Sequence, residues 1–311
     1  VRGPIRLATR KSELALFQAN AAAEALAAAG AGLEHRIVPV VSTGDKITDR
    51  PLHEIGGKDL FVKALEESIL AGEADAAVHS LKDVGSALDA RFVIAATLER
   101  ADPRDAAVTR GGGPLRSLPA GSRVGTCSPR RAAVLKATHP GLDVVPIRGN
   151  VRTRLAKLEE GLDAVVLALA GLRRLGLGGL PAEILDPGVF TPSPGQGTIA
   201  IECLAEDEET VRVASLASCA ASMAASRCER AVAAHLGASC RTPLGAYAQV
   251  DGGSVSVSCL LANPADGDMI RASCAGDAGR PEKVGERAAR DLIGKGAGEI
   301  IKMLDGSETH A

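Results

Sequence analysis

The chain has almost no aromatic side chains. Four of its 311 residues are Phe, one is Tyr (Tyr247) and none is Trp, which removes the stacking platforms that single-strand and RNA binders set against bases. A formal net charge of −2 excludes a generally basic, nucleic-acid-coating surface. No apolar stretch approaches the roughly 20 residues that span a bilayer. The longest, around Val165 to Leu172, reads as a buried strand running into a turn. The N-terminal Val1-Arg2-Gly3-Pro4-Ile5-Arg6 lacks signal-peptide architecture, so a soluble cytoplasmic protein, working as a monomer, is the expectation. Seven cysteines without regular spacing fit reduced thiols better than a disulfide framework. With no C-x-x-C or H-x-x-x-H pair and six scattered histidines, no metal site is expected.

What the chain does have is length for two or three domains and a regular alternation of strand and helix patterns through its first two thirds. Ile5 to Ala8 reads as a strand, and Ser12 can cap an Ala-rich helix that Gly30 ends. His35 to Val41 returns as a strand. The polar, Gly-containing loop 42–58 is long enough to be a lid. A helix over Asp59 to Leu70 closes at Gly72 before a strand that leads into Lys82-Asp83. A fainter copy follows: a short strand Arg123 to Gly125, Ser128 and Pro129 as N-cap and N1 of a helix to about His139, then a strand Asp143 to Ile147. In both copies a Glu-rich helix ends near a Gly and Asp-Ala opens a buried strand, at Asp75-Ala76 and again at Asp163-Ala164.

This echo predicts two related α/β lobes facing a cleft, as in periplasmic binding proteins. Thr191-Pro192-Ser193-Pro194-Gly195-Gln196-Gly197 reads as a crossing between them. From about Ser215 the pattern changes to a long helix (Ala217 to Leu236), three alternating strands and one final helix from Glu282 to Leu304, a small C-terminal α+β domain. The expected division is 1–98 with 198–215, then 99–197, then 216–311.

The chemistry-bearing residues sit where strands give way to helices. Asp75 to Asp83 carries an apolar strand straight into a cation and a carboxylate, and arginines occupy matching places at Arg10, Arg130-Arg131, Arg148, Arg152, Arg154 and Arg173-Arg174. In open α/β sheets that edge binds ligands, and helix N-termini there favour anions. A lone Lys-Asp pair is usually a surface ion pair. Four arginine clusters with an acid among them point to a ligand carrying many negative charges.

Together the motifs resemble the porphobilinogen deaminases, also called hydroxymethylbilane synthases, over essentially the whole chain. The matching residues are Ala8 to Ser12, Gly56-Gly57-Lys58 with Leu60-Phe61-Val62-Lys63, His79-Ser80 with Lys82-Asp83, Asp102 to Asp105, Arg130-Arg131, Arg148-Gly149-Asn150 with Arg154, Gly195-Gln196-Gly197, and Cys240. The resemblance implies a dipyrromethane cofactor in thioether linkage to Cys240. It implies that porphobilinogen is deaminated, coupled head to tail four times on that cofactor, and released as hydroxymethylbilane. Asp83 would then serve as proton carrier and as the charge that stabilises an azafulvenium cation. Lys82, Thr126, Ser128, Arg130, Arg131 and Arg148 would hold the cofactor with Asp83, while Arg10, Ser12, Phe61, Arg148, Arg154, Arg174 and Gln196 would hold the substrate.

Three positions depart from the family pattern: Cys127 for a common serine, Gly85 for a common proline, and Ala238-Ser239 for two glycines before Cys240. They leave a low-activity paralogue open. The rival from another class is a non-enzymatic two-lobed anion-binding or effector protein, which would suit the echo and the arginines but would require neither Lys82-Asp83 nor Cys240.

Overall fold

The computed structural model describes residues 3–31, 34–41, 59–239, 241–264 and 267–306. The expected lid over 42–58, the Phe61 side chain and Cys240 lie outside the described residues. The chain folds into two compact units, 1–101 with 198–226 and 102–197 with 227–311.

In chain order the elements are β1 (Ile5–Arg10), α1 (Glu13–Leu26), β2 (His35–Val40), α2 (Asp59–Leu70), β3 (Ala76–Ser80), β4 (Phe92–Thr97), β5 (Asp105–Thr109), β6 (Arg123–Gly125), α3 (Pro129–Thr138), β7 (Asp143–Val145), α4 (Val151–Ala156), β8 (Ala164–Ala168), α5 (Leu169–Arg174) and β9 (Ala182–Ile184). They continue with β10 (Ile199–Leu204), α6 (Glu208–Ser215), α7 (Ala220–His235), β11 (Leu244–Asp251), β12 (Ser254–Ala262), β13 (Met269–Asp277), α8 (Pro281–Leu292) and α9 (Gly298–Gly306).

The first unit holds a five-stranded sheet of order β2-β1-β3-β10-β4, and the second holds one of order β7-β6-β8-β5-β9. Each has three parallel strands followed by an antiparallel pair. Alternate residues of a strand point to opposite faces, so each sheet needs cover on both sides. In the first, Leu7, Val78 and Ile201 pack under α1 while Ala8, Ala77 and Phe92 pack under Leu65 and Ile69 of α2. In the second, Val124 and Val166 meet Val134 and Leu135 of α3, and Val165 and Leu167 meet Leu158 and Leu162 on the other face.

The repeated Asp-Ala has a physical cause. Asp75 accepts the Arg6 backbone N–H at 2.8 Å and its guanidinium at 2.6 Å. Asp163 accepts the Arg123 N–H at 2.8 Å and the Arg110 guanidinium at 2.6 Å. Each aspartate thus satisfies the first free donor of the neighbouring parallel strand, a group that would otherwise go unpaired at the sheet end.

The third sheet, β11-β12-β13, is a meander with α8 against it, and Leu260 joins the α3 core of the second unit. α8 crosses α7 at Gly285, where a Cβ would stand 2.2 Å from Cys228 O. The single final helix read from the sequence is a correction. It breaks at Gly296, whose φ of +102° no helix interior adopts, into α8 and α9.

Candidate active site

In the first unit the functional side chains leave the C-terminal ends of β1 and β3. Ser12 caps α1, its Oγ accepting the Ala15 N–H at 3.3 Å. A hydroxyl that accepts at a cap keeps its own proton for an anion. β3 runs without a gap into a 3-10 turn, Leu81–Asp83, which leaves Lys82 and Asp83 half-buried. Four bonds pin that turn. The Leu81 N–H donates to Thr198 O at 3.0 Å. Ser80 and Gln18 of α1 exchange hydrogen bonds of 2.7 and 3.1 Å. His79 Nε2 meets Glu202 Oε2 of β10 at 2.8 Å, both side chains buried. Fixed placement of a carboxyl is what proton transfer at a defined atom requires.

In the second unit the same strand ends carry a buried cationic cradle. Asp105 opens β5 with its carboxylate fully buried, Arg130 Nη2 donates to one oxygen at 2.8 Å and Arg131 Nη2 to the other at 2.8 Å. Gln196 Nε2 donates to Asp105 at 2.7 Å and to Pro103 O at 2.6 Å. Burial alone would push the Asp105 carboxyl up, but the two guanidinium charges outweigh it and hold it well below the usual carboxylate range. Two cations on one carboxylate leave a positive charge in excess. Arg130 Nε and Nη1 and Arg131 Nε are buried with no hydrogen-bond partner among the described residues, as is Arg148 Nη1, three residues past β7. Orphaned buried donors cost about 1–3 kcal/mol each, and more when charged, so such a cluster is stabilised by an incoming carboxylate.

The remaining predicted residues fall around these ends. Thr126 Oγ1 accepts the Ser128 N–H at 3.2 Å and Ser128 Oγ accepts the Arg131 N–H at 3.4 Å, so both hydroxyls keep a proton to donate. Arg154 Nε donates to Gly149 O at 2.7 Å. Arg174 Nη2 donates to Gly197 O at 2.7 Å, and burial lowers its pKa to about 10, which keeps it charged at neutral pH. Arg10 ends β1 half-buried.

Gln196, expected on the substrate, is 1% exposed, and its amide nitrogen donates to Asp105 and Pro103, which braces the cradle. Arg130 and Arg131, expected on the cofactor, are 3% and 5% exposed and each turns one nitrogen inward to Asp105. Sequence reasoning gave no role to Asp105, Gln18 or Glu202. Only Asp105 left a signal, a carboxylate opening the wholly buried run Ala106 to Val108.

Among the described residues no group of three or more His, Cys, Asp or Glu could hold a metal, and no helix is long and apolar enough to cross a membrane. Thiol exposure gives a first testable outcome. Cys127 is exposed, whereas burial raises Cys203 and Cys228 to about 12 and pushes Cys259 up as well. Brief alkylation of the native protein, read by peptide mapping, should label Cys127 first and leave these three unlabelled until unfolding. Early labelling of Cys228 or Cys259 would contradict the packing of the third sheet.

Residues 5–212 match the family model described as porphobilinogen deaminase, dipyromethane cofactor binding domain, and residues 223–294 match porphobilinogen deaminase, C-terminal domain. A porphobilinogen deaminase of Xanthomonas euvesicatoria pv. vesicatoria is 44% identical over 301 residues, 96% of this chain and 99% of that protein. One from Stenotrophomonas maltophilia is 45% identical over 300 residues, with the same coverage. Among solved structures, the second substrate binding domain of a putative amino acid ABC transporter from Streptococcus pneumoniae is similar at 17% identity and a TM-score of 0.44, covering 69% of this chain and 91% of that one.

Proposed function

This chain belongs to the porphobilinogen deaminase family, and on that premise we propose how its own residues divide the work of a hydroxymethylbilane synthase. The reaction deaminates porphobilinogen and joins four units head to tail, a step of tetrapyrrole biosynthesis catalysed by a transferase (EC 2.5.1.61). The observation that carries the reading is the surplus of buried guanidinium donors around Asp105. Every pyrrole unit brings an acetate and a propionate, and a site for several of them must supply more cationic donors than its own acids consume.

The dipyrromethane cofactor fits the orphaned donors of Arg130, Arg131 and Arg148, and when bound it supplies the pyrrole carbon onto which the first substrate is joined. Cys240 holds it covalently as a thioether. Thr126 and Ser128 donate their free hydroxyl protons to its carboxylates, and Lys82 adds a charge. Arg10, Ser12, Arg148, Arg154, Arg174 and Gln196 belong to the proposed site for the acetates and propionates of the substrate, together with Phe61. Asp83 is the acid and base. Its carboxylate stabilises the cation left when ammonia departs from the aminomethyl carbon, then takes the proton released when the pyrrole ring regains aromaticity. The division into 1–98 with 198–215, 99–197 and 216–311 belongs to the same proposal, each part being given its own sheet. The non-enzymatic binder is not supported, because the relatives matched over 96% of the chain bear the name of the enzyme.

The test is stoichiometry. Supplied with porphobilinogen, the purified protein should release four ammonia molecules per linear tetrapyrrole formed. Binding without ammonia release would contradict the assignment.

A further inference from the structure

Glu229, on α7, is fully buried, and its carboxylate takes two backbone N–H groups from different parts of the second unit: Gly195 on Oε2 and Ala248 of β11 on Oε1, both at 2.6 Å. A buried carboxyl loses its hydration, so the joint costs more to build than an apolar contact of the same size. Its placement shows what it joins. α7 ends at His235 and β11 begins at Leu244, so Glu229 ties together the two elements that flank Cys240 in the sequence. The second donor, Gly195, precedes Gln196, whose amide grips Asp105 and accepts from Arg131 Nη2 at 3.3 Å.

The segment around Gln196 turns on two glycines: Gly195 and Gly197 flank it with φ of +72° and +90°, a backbone that only glycine adopts readily. Pro192, Pro194 and a turn bond from the Gln196 N–H to Ser193 O at 3.0 Å fix its local shape, and ties from neighbouring elements fix its register. Glu229 supplies one tie, and β11 supplies another through the Ala246 N–H on Pro192 O at 2.9 Å. The approach is close: a Cβ at Gly245 would stand 2.6 Å from Thr191 O.

We propose that Glu229 is a positioning residue that sets the register between the segment carrying Cys240 and the Arg130–Arg131–Asp105 cradle. The proposal rests on the reading that Cys240 carries the cofactor and that these arginines hold its carboxylates. Glu229 acts on the cradle through Gly195 and Gln196.

The test is a double-mutant cycle on cofactor loading. In Glu229→Gln one amide –NH2 faces an N–H donor, so one of the two ties is lost. The wild type, E229Q, Q196A and E229Q/Q196A are purified from a host that makes porphobilinogen. Intact mass gives the cofactor-bearing fraction and circular dichroism checks the fold. E229Q should be folded yet carry at least about fivefold less cofactor, and the double variant should load no worse than Q196A alone, because coupled residues are not additive. E229Q that loads like the wild type and changes only its melting temperature, or losses in the two variants that multiply, would overturn the proposal. Should E229Q not fold, hydrogen exchange on Q196A decides: faster exchange at Gly195 and Ala248 supports the coupling, and exchange raised only around Asp105 overturns it. Wild type without any adduct sinks the functional reading itself, whereas a loaded wild type with normally loaded E229Q sinks only this inference.

Discussion

Asp83→Asn should keep the fold but lower turnover by on the order of 10² or more. The side chain is half-buried at the end of a short turn that bonds from Leu81, Ser80 and His79 hold in place. The amide is nearly isosteric, so the change deletes both proton exchange and the negative charge opposite the cation formed when ammonia leaves. Rates are to be measured per cofactor-bearing molecule in single-turnover experiments. Near-wild-type rates would place the acid elsewhere in the chain.

Asp105→Ala should destabilise the second unit by about 3–5 kcal/mol, the range for removing one partner of a buried ion pair, and lower its melting temperature by roughly 10 °C. Two guanidinium groups would remain buried at 3% and 5% exposure with their shared carboxylate gone. The pH dependence carries a definite sign. Burial opposes ionisation of Asp105, yet Arg130 and Arg131 hold its native pKa below the unfolded value, about 4. A group depressed in the folded state stabilises fully above the unfolded pKa and loses that contribution as pH falls from about 4 toward the native value. Acid unfolding of the wild type should steepen below about pH 4, and Asp105→Asn should flatten that limb. An unchanged melting temperature in Asp105→Ala would mean the cradle is not the joint described.

The sequence made local features readable and hid the long-range ones. Ser12 and Ser128 announce helix starts because a cap needs only a hydroxyl three residues from the donor it satisfies. The Asp75 and Asp163 echo was visible as a pattern, although its cause, the first free N–H of a neighbouring strand, appears only once Arg6 and Arg123 are paired to it. Asp105 could not be assigned from sequence, since its partners lie 25, 26 and 91 residues away. The network that buries Gln196 was hidden for the same reason, since Asp105 and Pro103 lie 91 and 93 residues away. β5, Asp-Ala-Ala-Val-Thr, passed unread because Asp and Ala have weak β-propensity, whereas β4 passed unread although Phe92, Val93, Ile94 and Thr97 are strong β formers. The Gly-Lys-Gly-Ala-Gly run near the C-terminus kept helical spacing while its backbone did not.

Intact mass followed by peptide mapping tests the central claim most directly. Protein purified from a host that makes porphobilinogen should carry the added mass of a dipyrromethane, and the adduct should map to the peptide containing Cys240. Cys240→Ser should remain folded, lack the adduct and form no tetrapyrrole. An active protein with unmodified Cys240, or with the adduct on another cysteine, would contradict the account.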